Sequence, residues 1–293
     1  MNLIKPPYLK EGNTVAIIAP AGIVEYEEIL KAKNKFESLG FKVKLGKHLF
    51  NSFRYMSGTD EERVSDLHEA FLDNEVNAVV CARGGYGAIR LIKLIDFEII
   101  RRHPKIFCGF SDITALSLMF AKHSDLITFS GPMAQSDFND ITEFTEKSFF
   151  NVLSGGFEEY FSRVTYNTGN ASGIIWGGNL STIVSLCGID FLPDEDFIFA
   201  AEDLNEPAYK IDKMFSQLVN MKDFRKYCKG LVLGEFLDCG DEKWLDEIFT
   251  ETAMLLEVPA YGGFKFTHAA DKQTFPIGAA GLLQDGILSY KMI

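Results

Sequence analysis

The sequence predicts an α/β fold: an N-terminal open parallel sheet with crossover helices, plus a smaller C-terminal mixed, partly barrel-like domain. Three observations predict it. The first half alternates short apolar, β-rich runs with amphipathic runs, the pattern of parallel strands joined by crossover helices. From about residue 136 to 170 that alternation stops. Beyond it come two strand–turn–helix units and then short Gly-punctuated strands, a pattern suited to a more irregular sheet. An N-terminal domain is expected over residues 1–136, a connecting segment over 137–170 and a C-terminal domain over 171–293, since 293 residues suffice for two cores.

The elements follow in order. "TVAIIAP" (14–20) reads as a buried strand, and residues 25–39 as an amphipathic helix stopped at Gly40. "KVKLG" is a second strand. Thr59 and Glu62 form a T-x-x-E capping box opening a helix whose Val64, Leu67 and Phe71 share one face. "AVVCAR" (78–83), "KIFCGF" and "LITFSG" are strand-like, with "YGAIRLIKLI" and "DITALSLMFAK" as helices between them. The last helix is apolar nearly all round, so it belongs in the centre of the structure. "SDFNDITEFTEKSFFNVLSGGFEEY" mixes a short helix with loop composition. In the second half, Ile211, Met214, Phe215 and Leu218 recur at i, i+3, i+4, i+7 and mark a helix over 209–220. "LVLGEF" is a strand, and another helix is expected near 242–256.

Composition excludes several functions. Lys plus Arg total 29 against 41 Asp plus Glu, a net charge of −12. No basic stripe is present to bind phosphates, so no nucleic-acid partner is expected. No run approaches the roughly 18 apolar residues that span a bilayer. "MNLIKPPYLKEGN" has prolines where a signal peptide needs its apolar region, so a cytoplasmic location with no membrane partner is expected. Cys81, Cys108, Cys187, Cys228 and Cys239 are odd in number and mostly inside apolar runs. They read as reduced core thiols. With no C-x-x-C pair and no H-E-x-x-H, nothing proposes a metal.

The chemistry centres on "KIFCGFSDITAL" (105–116), where an apolar strand breaks at Gly109 and Ser111 precedes a helix. Ser111 is either a helix N-cap, the commonest use of serine there, or a nucleophile on a tight strand-to-helix turn. A serine nucleophile needs a base, a carboxylate to orient it and donors for the oxyanion. Of five histidines, His68 lies on a helix opposite its apolar face and reads as solvated. His103 and His123 sit in polar, surface-like contexts, and His48 has no evident role. His268 lies in "GGFKFTHAADKQTFPIG", a Gly- and Pro-bounded loop of the kind that carries functional groups. "FIFAAEDLNEP" ends an apolar strand with Glu202 and Asp203, where α/β folds gather ligands; either could instead cap the next turn. "ARGGYGAIR" has Arg90 where a dinucleotide fingerprint needs its third Gly. Its glycines suit close backbone approach to a substrate oxygen, and Gly85 and Asp112 are candidate N–H donors to an oxyanion. Trp176 and Phe191 read as core residues.

Together "YMSGTDEERVSDLHEAF", "ARGGYGAIRLI", "GFSDITAL", "GGNLSTI", "EDLNEPAYKIDKMFSQL" and "HAADKQTFPIGA" resemble the LD-carboxypeptidase family, which includes the microcin C immunity hydrolases. The resemblance spans nearly the whole chain in the family's order. It implies a Ser–His–Glu triad of Ser111, His268 and Glu202. Thr267 stands where the family usually has a Gly before the His. The resemblance further implies a serine carboxypeptidase that releases a terminal D-Ala from the L-centre of a murein tetrapeptide, with no cofactor and as a homodimer. An aminoacyl-nucleotide hydrolase and a silent binding protein of the same fold are the alternatives. Only under the first of these would Trp176, Phe191 or another aromatic near the pocket stack on an adenine. On the triad reading, Ser111→Ala also removes a helix N-cap.

Overall fold

The computed structural model describes residues 3–292; the outer ends of the expected domains, residues 1, 2 and 293, lie outside the described residues. Five strands of the first half, β1 (Thr14–Ile18), β2 (Lys42–Leu45), β3 (Val76–Cys81), β4 (Ile106–Cys108) and β5 (Thr128–Ser130), lie in the order β2-β1-β3-β4-β5. All four pairings are parallel. β1 is buried at every position, as expected of a strand covered on both faces, which therefore reads as a continuous apolar run. The strand order reverses between β1 and β3. In open α/β sheets such a switch point leaves a crevice at the carboxyl ends of the strands, where ligands bind.

The remaining strands are β6 (Glu159–Phe161), β7 (Val164–Asn167), β8 (Ala171–Asn179), β9 (Phe197–Leu204), β10 (Cys228–Leu237), β11 (Ala260–Gly262), β12 (Phe275–Ile277), β13 (Ala280–Gln284) and β14 (Ile287–Lys291). Eight of them form a second sheet in the order β6-β14-β13-β8-β9-β10-β11-β7. β8 to β11 run parallel and the outer strands antiparallel. The sheet stays open, with β6 and β7 at its edges and no closed barrel. β12 leaves this sheet altogether and pairs antiparallel with β5, Phe275 opposite Ser130. The C-terminal half thus completes the N-terminal sheet.

Local signals place the helices. Thr59 accepts from the Glu62 N–H while the Glu62 carboxylate accepts from the Thr59 N–H, so the capping box opens helix Asp60–Leu72. "YGAIRLIKLI" forms only the short helix Ala88–Leu91 before the chain turns. Helix Thr114–His123 is buried from Thr114 through Ala121 and touches both β5 and β8, which seats it between the two sheets. Helix Ala208–Val219 buries Ile211, Met214, Phe215 and Leu218, and helix Glu242–Leu256 begins at an Asp241 cap. The buried residues of both halves form one continuous core.

Candidate active site

β4 delivers the chain to Ser111 beside the switch-point crevice. Ser111 has φ of +60° and starts a single 3-10 turn, Ser111–Ile113, that runs into the buried helix. A non-glycine residue held in the left-handed region costs roughly 1–3 kcal/mol, and such strain gathers at functional turns. Phe110, extended at φ −139°, occupies the N-cap position, and no side chain caps this helix start. The capping role for Ser111 is therefore overturned: an N-cap needs an extended backbone, and Ser111 has a left-handed one.

The Gly-rich turn after β3 packs directly on this serine. A Cβ added to Gly84 would lie 2.9 Å from Ser111 Cβ, 3.0 Å from its Oγ and 3.3 Å from the Asp112 nitrogen. Only glycine permits that approach. Gly85 follows, exposed, with φ of +109°. Among the described residues neither the Gly85 nor the Asp112 N–H donates to another protein group. The turn is pinned from behind. The buried Asp112 carboxylate accepts the Ala88 N–H at 2.8 Å, and the buried Arg63 guanidinium donates to the carbonyls of Pro20 (2.5 Å) and Gly87 (3.0 Å). Arg63 is itself paired with Asp60, which also holds Arg90. Burial pushes the Asp112 carboxyl up to about 6, against the opposing pull of the Ala88 N–H and the Arg63 charge.

The second sheet brings Glu202 and His268 together. Glu202 lies on β9 opposite Asn179 at the end of β8, and that end packs on the elbow helix through the Asn179 N–H, which donates to Thr114 Oγ1 at 3.1 Å. Successive strand residues face opposite sides, and the two acids separate accordingly. Glu202 Oε2 stands 2.6 Å from His268 Nδ1. Asp203 instead accepts from Asn179 Nδ2 (3.0 Å) and from the backbone N–H groups of Ser181 (2.8 Å) and Leu204 (2.9 Å). It ties down the start of helix Leu180–Ser185 and does not reach His268.

His268 rides on a loop that crosses β10 where Gly234 leaves room; a Cβ there would meet the Phe266 carbonyl oxygen at 2.1 Å. Thr267 Oγ1 accepts the Ala269 N–H, and Thr145 Oγ1 both donates to the Ala270 carbonyl (2.7 Å) and accepts the Lys272 N–H (3.0 Å). Thr267 thus closes the turn with its own side chain. The His268 ring packs edge-on against Phe110, centroids 4.8 Å apart, which sets it beside the residue preceding Ser111. Lys272, buried and paired with Asp137, sits 4.2 Å from the centre of the same Phe110 ring. Among the described residues Glu202 Oε1 has no partner, and Glu202 lines a cavity of about 10 Å³, room for one water.

Three of the other histidines, His48, His68 and His123, are occupied elsewhere. His48 Nδ1 lies 2.8 Å from Asp66 at the end of the edge strand β2. His68, expected to be solvated, is half-buried and accepts the Asp96 N–H at 3.0 Å, and burial lowers its pKa. His123 bonds the Asp190 carbonyl. Trp176 and Phe191 are core residues, 0 % and 1 % exposed, so neither is available to stack on a base. Arg63, Asp137, Thr145 and Lys272 support the site without having been singled out from the sequence; only the placement of Arg63 and Lys272 inside two distinctive motifs pointed toward them. Among the described residues no cluster of His, Cys, Asp and Glu could hold a metal, and no helix is long and apolar enough to cross a membrane.

Comparison with known proteins agrees with this architecture. Residues 15–131 match the LD-carboxypeptidase N-terminal domain and residues 172–283 the LD-carboxypeptidase C-terminal domain. The chain is 38% identical to a probable murein peptide carboxypeptidase of Bacillus subtilis, over 94% of this chain and 90% of that one. Its fold superposes on the crystal structure of an MccF-like protein from Bacillus anthracis with a TM-score of 0.91 at 27% identity, covering 99% of this chain and 100% of the other. The muramoyltetrapeptide carboxypeptidase of Oxalobacter formigenes superposes with a TM-score of 0.86 at 30% identity, covering 95% and 98%. With both of its domain patterns matched and that identity held over nearly its whole length, the chain belongs to the LD-carboxypeptidase family.

Proposed function

We propose that the protein is a serine LD-carboxypeptidase that releases a terminal D-amino acid, D-Ala, from the L-centre of a murein tetrapeptide. The observation that carries this reading is the 2.6 Å contact between His268 Nδ1 and Glu202, with the His268 ring packed on Phe110, the residue before a serine held at positive φ. A carboxylate can only accept, so the Nδ1 proton stays on the ring and Nε2 is left as the base. Ser111 Oγ attacks the scissile carbonyl as Nε2 takes its proton. Glu202 stabilises the resulting imidazolium, and the N–H groups of Gly85 and Asp112 receive the oxyanion. Collapse of the tetrahedral intermediate breaks the C–N bond, and the imidazolium gives its proton to the departing amine of D-Ala. Water, deprotonated by Nε2, then hydrolyses the acyl-serine and restores the enzyme. The chain needs no metal or organic cofactor for these steps.

In this reading residues 1–136 supply the nucleophile and residues 171–293 the acid and base, joined through 137–170. Five unpaired thiols, four of them buried, favour a reducing, cytoplasmic compartment. The family resemblance favours a homodimer, which sedimentation at several concentrations tests.

The rival reading, hydrolysis of an aminoacyl-nucleotide, draws on the likeness to the MccF-like protein. It loses support from the burial of Trp176 and Phe191. Incubation with a murein tetrapeptide and, separately, with an aminoacyl sulfamoyl adenosine, followed by mass spectrometry, separates the two. Release of D-Ala from the first is the expected result. Cleavage of the second alone overturns the peptidase reading, and cleavage of neither makes the chain a binding protein.

A further inference from the structure

Arg83 lies where the loop after β1 meets the Gly-rich turn after β3. Its side chain lies along the glycine of the β1 loop, with Nε 3.1 Å from the Cβ position on Gly22, and its Nη2 is 3.8 Å from the Cβ position on Gly85. Nη1 donates to the Ile23 carbonyl at 3.0 Å, and Gly22 N–H donates to the Gly84 carbonyl at 3.1 Å, so the guanidinium is held where the two loops meet. The neighbouring cations each meet a carboxylate: Arg63 and Arg90 share Asp60, and Lys272 pairs with Asp137. Among the described residues Arg83 pairs with no carboxylate, and its Nε and Nη2 have no acceptor. In a chain of net charge −12, a half-buried guanidinium fixed by backbone and without a counter-ion is prepared for an anion.

Substrate chemistry supplies that anion. In a carboxypeptidase substrate the terminal carboxylate is separated from the scissile carbon by one nitrogen and one α-carbon, a span of about 4 Å. Its partner must therefore stand beside the nucleophile. Arg83 directly precedes Gly84, whose Cβ position lies 3.0 Å from Ser111 Oγ. The edge formed by Nε and Nη2 is one of the two bidentate faces of a guanidinium and matches a carboxylate fork. Resting on the LD-carboxypeptidase reading, we propose that Arg83 binds the terminal carboxylate of the substrate through Nε and Nη2 and makes the enzyme an exopeptidase.

The test compares kcat/KM for a murein tetrapeptide ending in D-Ala and for the same peptide ending in D-alaninamide. The wild-type protein should favour the free acid by on the order of 100-fold, the usual consequence of leaving a desolvated charge unpaired. In Arg83→Met that ratio should fall toward one, mainly through a higher KM for the acid. Arg83→Lys should recover part of it, since charge returns without the fork. Arg83→Gln replaces Arg83→Met if circular dichroism shows the latter unfolded. A wild type indifferent to amidation, or a variant that keeps the full ratio, overturns the assignment of Arg83. A wild type that releases D-Ala or D-alaninamide from neither peptide overturns instead the peptidase reading on which it rests.

Discussion

His268 Nδ1 lies 2.6 Å from Glu202 Oε2, while Asp203, the next residue on the same strand, is bonded to the start of the helix Leu180–Ser185 on the other side. One residue of strand register thus decides which acid of the pair meets the imidazole.

Glu202→Gln should keep the fold and lower kcat by on the order of 10⁴-fold, because a neutral amide cannot stabilise the imidazolium and can donate to Nδ1, favouring the wrong tautomer. Asp203→Asn should reduce turnover far less and reduce stability instead, by about 1–3 kcal/mol, since its buried carboxylate satisfies four donors around the β8–helix junction. Steady-state kinetics and urea denaturation on both variants check this. A larger kcat loss in Asp203→Asn would show that the neighbours have been assigned the wrong way round.

Ser111→Ala should abolish turnover to on the order of 10⁴- to 10⁶-fold below wild type, because the attacking atom is gone. Stability should change by less than about 0.5 kcal/mol, since the hydroxyl caps nothing and Ala inherits the same backbone strain. Differential scanning calorimetry and single-turnover assays read the two halves. Measurable multiple turnover by the purified variant would exclude Ser111 as nucleophile.

Much of this was legible in the sequence where the signal is local. The Thr59–Glu62 capping box, the stripe Ile211–Met214–Phe215–Leu218 and the all-apolar helix after Ser111 each depend on neighbours within a turn or two, and each forms. What was not legible depends on pairing across long separations. β12 joins β5 some 145 residues earlier, and the short β6 and β7 find partners only in β14 and β11. Three- and four-residue strands of loop-like composition carry no periodicity of their own. The same limit applied at the site. The residues alone left Glu202 and Asp203 equal, because choosing between them required knowing which face of β9 meets the loop crossing Gly234. The positive φ of Ser111 was likewise hidden, since a serine before a helix reads first as a cap.

The buried Asp112 carboxyl makes a prediction about pH. Its folded-state value, about 6, stands above its ordinary 3.8, so the native chain holds a proton that the unfolded chain releases. Stability therefore falls as pH rises from about 4 to about 6, by roughly 3 kcal/mol from this group, and levels off above. Asp112→Asn retains an acceptor for the Ala88 N–H but cannot ionise. Relative to wild type it should gain stability across that window and hold the gain at pH 7. Urea denaturation at pH 4, 5, 6 and 7 measures the difference, and a difference that stays flat with pH refutes it.

The last prediction concerns the hand of the leaving residue. Two tetrapeptides that differ only at the terminal α-carbon present the same scissile carbonyl to Ser111 and the same leaving amine to His268. Inverting that carbon exchanges the positions of carboxylate and methyl. Donors placed for the carboxylate of D-Ala then face a methyl group and stay unpaired, while the displaced carboxylate loses its partners. A misplaced methyl alone discriminates only about 10- to 200-fold, whereas unpaired polar groups in a built site discriminate on the order of 10⁴-fold. The D-epimer should therefore be preferred by a factor nearer the second figure, with the loss for the L-epimer spread over both kcat and KM as the amide leaves its attack geometry. Measuring kcat/KM for the pair decides the matter. Equal rates, or a preference for terminal L-Ala, would remove the D-specificity while leaving the serine chemistry at Ser111 intact.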